Sequence, residues 1–593
     1  MGGDGAGRPA MRRVRWPWLM MMLAVCLTAA SFGQAPPEGG GGMAGAVDAG
    51  SFAEQVDLSA FGRIAVHSRG RVKSFDSFAA SVMRSVTGAR SISGQSVSFT
   101  YLDLMLRPDR YEEEDHIYVK NKLVRAAIAR ALTDVSESER LERFVKKGLI
   151  SPRLLRDPRA QAALGRLSTD LMRSARYVDA VRHALAVRDP SNLRRGLRFV
   201  APPGGGADDR WYTLDELAMM GEARSDLASM PADLRRKLVG AWIDFTNAWR
   251  QADATGVNAA AAQLAAILPA VNPDPEVYPE QGRLAWESWY FRHGNLTWIW
   301  LIYALSLVPL LLFVSFRWSA ARWAGLLLFF VAFGFHTFAV MLRWYVSGRW
   351  PNANMFEAVT TAAWFGGCFA VLFELFARRS PMRGLVALGS AVASMTALMA
   401  TKFYPLQLDP TIGNIMPVLH DLWLYIHTNV IIFSYALIFM AAVSALLYLL
   451  YRAGRSLRGG DGSGEFARVG GAGSLIMSAP DGSSMLGRAR TSIGQVLDGT
   501  TMILIELSFI LLWAGIVMGA IWADHSWGRP WGWDPKEVFA LNTFIVFALL
   551  IHVRLKVRDK GMWTAILAVI GCAVMLFNWI VINFTISGLH SYA

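Results

Sequence analysis

A chain of 593 residues that is 53% hydrophobic is too long for one ordinary domain and too apolar to be wholly soluble. Its net charge of +13 comes without a compact Lys/Arg cluster interleaved with aromatics in the polar half, which argues against nucleic acid as the partner. Three cysteines, Cys26, Cys368 and Cys572, all lie in apolar runs, so the polar half can build no disulfide framework, zinc site or CxxC pair, and without CxxCH the chain is not a standard c-type cytochrome.

Arg12, Arg13 and Arg15 precede the apolar run 16–30, which is followed by Ser31-Phe32-Gly33-Gln34. This layout predicts a secretory signal peptide over 1–33, with an uncleaved anchor as the alternative; either way the chain beyond it is exported. Residues 34–50, rich in Gly, Ala and Pro, are expected to be a disordered leader. A mainly helical extracytoplasmic domain is expected over 51–292. Within it, alternation around Gly70 predicts a short hairpin leading into a helix across 62–79. Three-and-four spacing marks helices over 123–132, 141–149 and 160–185, and Thr213 with Glu216 forms a capping box for a helix beginning at Leu214. His67, His116 and His183 stand alone and read as surface or structural residues.

Residues 293–593 hold eight candidate spans, at about 296–316, 323–345, 355–377, 383–402, 422–450, 499–522, 538–554 and 562–584. The expected fold is therefore an all-α polytopic membrane protein of about eight transmembrane helices, preceded by the helical extracytoplasmic domain. Arg317 and Arg322, then Arg378, Arg379 and Arg383, then Arg452 to Arg490, then Arg554 to Lys560 fall in alternate loops. The positive-inside rule puts these loops in the cytoplasm and the N-terminal domain, the 527–537 stretch and the C-terminus outside. The signal-like N-terminus agrees.

Between the sixth and seventh spans lies Trp527-Gly528-Arg529-Pro530-Trp531-Gly532-Trp533-Asp534-Pro535-Lys536-Glu537. So much Gly and Pro beside Trp reads as a structured loop with an aromatic surface at one membrane face. His427, at the outer start of the fifth span, and His590, in the outer tail, lie at the level of this loop. Two imidazoles beside an aromatic platform suit a flat metallated ring, with the histidines as axial iron ligands. His420, seven residues before His427, and His525 are rival outer ligands. His552, near the inner end of the seventh span, is an ionisable group within a span and so a candidate ligand, or else an interfacial residue beside Arg554. His336, within the second span, is either a ligand or a histidine hydrogen-bonded to a neighbouring helix. Arg529 and Lys536 can meet ring carboxylates or pair with Asp534 and Glu537 to hold the loop; Asp534 suits loop orientation better than iron.

The stretch resembles the tryptophan-rich WWD signature of haem-handling proteins, and its Asp-Pro-Lys-Glu ending resembles the CcsA (ResC) family of System II cytochrome c biogenesis rather than the CcmC or CcmF branches. Arg343 to Pro351 with Glu357, Trp423 to His427, Ile551 to Arg554 and Gly588 to Tyr592 are similar to further family segments. The segment Gly70 to Ala79 resembles, more weakly, an extracytoplasmic extension of larger members. The resemblance implies a haem b cargo presented between the external ligands His427 and His590, on Trp527, Gly528, Trp531 and Trp533. It implies covalent attachment to CxxCH thiols of apocytochrome c, with thiol-reducing proteins as further partners. His552 would be the transmembrane histidine, completed by a CcsB (ResB) partner, since no CcsB-like segment is found in this chain. Phe539 departs from the family pattern, where a tryptophan is usual. Two rival readings remain: a haem-binding electron-transfer subunit, and a transporter-like scaffold whose Trp loop only anchors the interface.

Overall fold

A computed structural model describes residues 52–88, 92–170, 174–219, 229–377, 380–415, 419–457, 492–583 and 586. The expected signal and leader, His590 and its motif, and most of the loop between the fifth and sixth expected spans lie outside the described residues. The chain divides into two units, Met1–Gln55 and Val56–Ala593. In the first, residues 52–55 are helical.

The second unit begins with the hairpin that alternation predicts. Ala65–Ser68 pairs antiparallel with Arg71–Ser74 across Arg69 and Gly70, both at positive φ, and helix Phe75–Thr87 comes directly after. Ser74 caps that helix by accepting from the Ser77 amide, which explains why the strand stops there. The rest of the N-terminal part is mainly helical, with one short pairing, Ile117–Tyr118 with Leu149–Ile150, and an isolated antiparallel bridge between Val200 and Tyr212. Thr213 and Glu216 exchange both bonds of the expected capping box, at 3.0 and 3.1 Å. Phe61, Phe75, Phe199, Phe245, Trp242 and Trp249 interlock as the aromatic centre of this part.

Nine helices among the described residues are long and apolar enough to cross a membrane. Eight match the expected spans and are numbered one to eight in chain order: Gly294–Phe316, Ser319–Ser347, Met355–Phe376, Leu385–Phe403, Leu422–Leu457, Ile493–Trp527, Pro535–Lys556 and Lys560–Ile582. The ninth, Ala254–Val271, belongs to the N-terminal part and owes its apolarity largely to alanine. Its Val257, Ala260, Ala261 and Leu264 are buried, as the inner face of a water-soluble helix would be. The multi-pass all-α architecture is thus the one expected, with span boundaries as the main difference. The fifth and sixth helices overrun their expected limits by several residues, because limits read from apolarity stop short of polar residues such as Arg452, Asp498 and Asp524 that the helices nevertheless include.

Ion pairs fasten the spans at both ends, the Arg343–Glu357 and Arg554–Asp498 pairs both buried. On one side Arg343 and Arg349 converge on Glu357, each at 2.8 Å. On the other, Arg554 forms a two-pronged pair with Asp498 at 2.7 and 2.6 Å, and Arg452 meets Asp559 at 2.6 Å.

Candidate functional site

Only part of the tryptophan-rich stretch is loop. Span six continues through Trp527 and is closed by Gly528, whose φ of 70° supplies the left-handed turn that ends a helix. Pro535, Lys536 and Glu537 are already the first turn of span seven, with proline where its missing N–H costs nothing. Asp534 caps that turn, and the Glu537 carboxylate reaches back to the amides of Gly532 (2.9 Å) and Asp534 (3.1 Å). Asp534 and Glu537 therefore hold the loop's shape through backbone amides, and loop orientation is the role that sequence favours over iron for Asp534. Trp533 sits at φ 55°, a conformation that a bulky residue rarely adopts, and is 74% exposed.

Beneath the loop lies a cavity of about 250 Å³ assembled from several spans. Span five contributes His427, Thr428 and Tyr435; span six contributes Gly519 and Trp522; the loop and span seven contribute Trp531, Lys536 and Glu537. The far wall is Asn578, Trp579 and Asn583, on and just after the last turns of span eight, where residues Phe577–Ile582 open into a π-helix. Such wide turns recur at functional sites because they turn side chains out of the ordinary helical register. Asn352, Met355 and Ala358 close the side nearest span three.

His427 is oriented by its helix neighbour. Its Nδ1 lies 2.7 Å from the Gly515 carbonyl, which can only accept, so Nδ1 donates there and, in the neutral ring, Nε2 is the nitrogen with the lone pair. This carbonyl-fixed tautomer is the one a metal-ligating imidazole uses. The ring fits there because Gly519 has no side chain: a Cβ would come within 2.7 Å of His427 Cε1. The wall is unusually polar for a membrane interior. Asn352 donates to Thr428 Oγ1 at 3.0 Å, Asn578 to the Tyr435 hydroxyl at 3.3 Å, and Asn583 to the Trp579 carbonyl at 2.7 Å.

The expected site residues thus separate. His427, Trp531 and Lys536 meet in one cavity, while Trp527 packs edge-on against Trp522 with ring centres 5.0 Å apart. Gly528, Arg529 and Trp533 are exposed on the loop, and the rival ligands His420 and His525 are exposed away from the cavity lining. His552 is exposed on the flank of span seven, its Nδ1 donating to the Ala548 carbonyl at 2.7 Å. His336 is buried with both nitrogens engaged, Nε2 at 3.1 Å from the Thr360 carbonyl and Nδ1 at 3.3 Å from the Tyr303 hydroxyl. The space beside it is only about 10 Å³, room for a water at most, so His336 ties spans one, two and three together. Sequence reasoning missed Trp522, Trp579 and the asparagines. Trp579, eleven residues before His590, is the one with a usable signal, an aromatic at the outer end of a span.

A family model described as "Cytochrome C assembly protein" matches residues 352–590, which take in the cavity from Asn352 onward. A "Cytochrome c biogenesis protein CcsA" of Parasynechococcus marenigrum (strain WH8102) is 34% identical over 260 residues, covering 43% of this chain and 82% of the relative. Proteins of the same description from Pyropia yezoensis and Synechococcus sp. (strain RCC307) are 31% and 32% identical over 267 and 262 residues, each covering 43% of this chain and 82% and 80% of their own lengths.

Proposed function

The chain belongs to the CcsA family of cytochrome c biogenesis proteins, and from that premise we propose that it holds haem b as cargo in the His427 cavity and presents it to apocytochrome c. The observation that carries this reading is the His427 tautomer, set by the Gly515 carbonyl, with Nε2 as the lone-pair nitrogen in a cavity walled by Trp522, Trp531 and Trp579. Indole faces suit a macrocycle, and the amide-rich wall with Lys536 suits its polar edge. His590 is the second axial ligand in this reading.

The reaction is addition of two CxxCH thiols across the two vinyl groups. Each sulfur bonds to the inner vinyl carbon and its proton goes to the outer one, with no net change in oxidation state. The nucleophile belongs to the apocytochrome, which thiol-reducing proteins keep reduced; this chain binds, orients and shields. The positive-inside pattern supports a cavity on the extracytoplasmic face, and in this reading the membrane is the plasma membrane. His552, near the far end of span seven, and Glu506, midway along span six, are exposed on the bundle's flank. Ionisable groups there call for a neighbouring chain, which supports a CcsB/ResB-like membrane subunit as the partner.

The test compares His427→Ala, His590→Ala and Trp531→Ala with the parent for haem absorbance after purification and for cytochrome c maturation. Loss of the haem band in His427→Ala with normal protein yield is expected. Full haem occupancy and full maturation in both histidine variants would overturn the assignment.

A further inference from the structure

The hairpin motif from Gly70 onward has no part in the cavity itself, yet it is wired to it. Arg71, buried, pairs with Glu287 at 3.0 Å and donates to the carbonyls of Val346 (3.2 Å) and Ile412 (3.4 Å). Arg84 in the next helix donates to the Pro405 carbonyl and meets Asp409, both at 3.1 Å, and Asn414 donates to the Gly70 carbonyl. Segment 404–414 connects span four towards the His427 helix and has no regular helix or strand, so its carbonyls need donors from elsewhere. The membrane half supplies the others: Arg343 to Pro410 (3.0 Å), Asn354 to Thr411 (3.0 Å) and Arg349 to Gly413 (3.4 Å).

From there the contacts run to the cavity. Arg343 and Arg349 share Glu357, which also accepts from the Ala353 amide at 2.8 Å. The strip this fixes is pinned to span five by Trp350 on Asn429 (2.8 Å) and Asn352 on Thr428 (3.0 Å), beside His427. Asn352 and Met355 are cavity wall.

We propose that the N-terminal helical part positions the cavity wall, with Arg71 and Arg84 as positioning residues. By holding 404–414 they keep the Arg343–Arg349–Glu357 cluster, and through it the Asn352 strip, against Thr428. This deepens the haem reading and rests on it for its purpose. The N-terminal part is then a buttress for the site rather than a landing surface for the apocytochrome.

The experiment uses the full chain in detergent without added haem and tracks backbone hydrogen exchange. Arg71→Ala is expected to speed exchange about tenfold or more in both 404–414 and 350–357 while spans seven and eight stay unchanged. Arg71→Lys keeps the charge but not the fork and should fall between. Should Arg71→Ala fold poorly, Arg84→Asp provides the same break and Asp409→Arg in that background should restore slow exchange. Faster exchange at 404–414 with none at 350–357 overturns the proposal, as does unaltered exchange with weakened apocytochrome binding. Haem binding by the same variants is read separately: a shifted haem absorption band and altered iron potential in Arg71→Ala are expected. Full haem occupancy and full maturation in both His427→Ala and His590→Ala would sink the haem reading while leaving the exchange result standing.

Discussion

His427 owes its place to a missing methyl group on the neighbouring helix. A Cβ at Gly519 would lie 2.7 Å from Cε1 and 2.8 Å from Nδ1, so the imidazole would have to leave the Gly515 carbonyl. Gly519→Ala is therefore expected to weaken haem retention on the order of 10- to 100-fold, the usual cost of losing an orienting partner behind a ligand. A haem titration of the purified variant decides it, and unchanged affinity would contradict the geometry. His116, in the N-terminal part, makes a different residue-scale case. Burial, with Arg188 nearby, pushes its pKa down to about 4, and Nδ1 donates to the Glu114 carbonyl at 2.9 Å. As pH falls below the ordinary value of about 6.5, the unfolded chain takes up a proton that the folded protein refuses until about 4. Stability is then lost across that window, by at most about 3 kcal/mol. Replacing it, as in His116→Gln, should shrink the drop in Tm between pH 7 and pH 4.5. An identical drop would mean the site opens before His116 matters. Sequence patterning found both histidines but could sort neither by partner, since Gly515 and Arg188 are 88 and 72 positions away and only packing brings them near.

At the scale of elements, the tryptophan-rich stretch was legible as an interruption between two spans and illegible as a shape. Gly528 and Pro535 mark its limits for local reasons, a left-handed cap and a first-turn proline. The cavity was not legible, because Trp522, Trp579 and Asn578 sit inside apolar runs and look like ordinary span residues until spans five to eight converge. Arg343 and Glu357 are intermediate: both were visible as motif residues, while their pairing across 14 positions depends on the turn between spans two and three. What holds the loop is the Glu537 carboxylate on two backbone amides. Glu537→Ala leaves the Gly532 and Asp534 amides without that acceptor, at a cost of about 1–3 kcal/mol. Faster exchange at these two amides and reduced haem retention are expected, whereas Asp534→Asn, an equally good cap, should behave like the parent. Slow exchange in Glu537→Ala would mean the loop is held by its aromatics instead.

Across the whole molecule, orientation and locking use the same arginines at different times. During insertion the count of Lys and Arg in alternate loops chooses the cytoplasmic side, and acidic neighbours contribute little to that choice. Once the spans have packed, several of these charges are consumed: Arg322 lies 3.5 Å from Glu374, Arg452 2.6 Å from Asp559, and Arg554 is clamped on Asp498. Arg317, Lys556 and Arg558 have no such acid in the described structure and stay at the rim, keeping that end of the bundle basic after folding. The opposite end carries the N-terminal part and the His427 cavity. The arrangement yields a direct prediction for two exposed positions. In a chain whose three native cysteines are replaced, Arg529→Cys should react with a membrane-impermeant thiol reagent on intact cells, and Arg558→Cys only after lysis. The reverse pattern would put the cavity in the cytoplasm, on the wrong side for an exported apocytochrome, and the haem-presentation reading would fall with the topology.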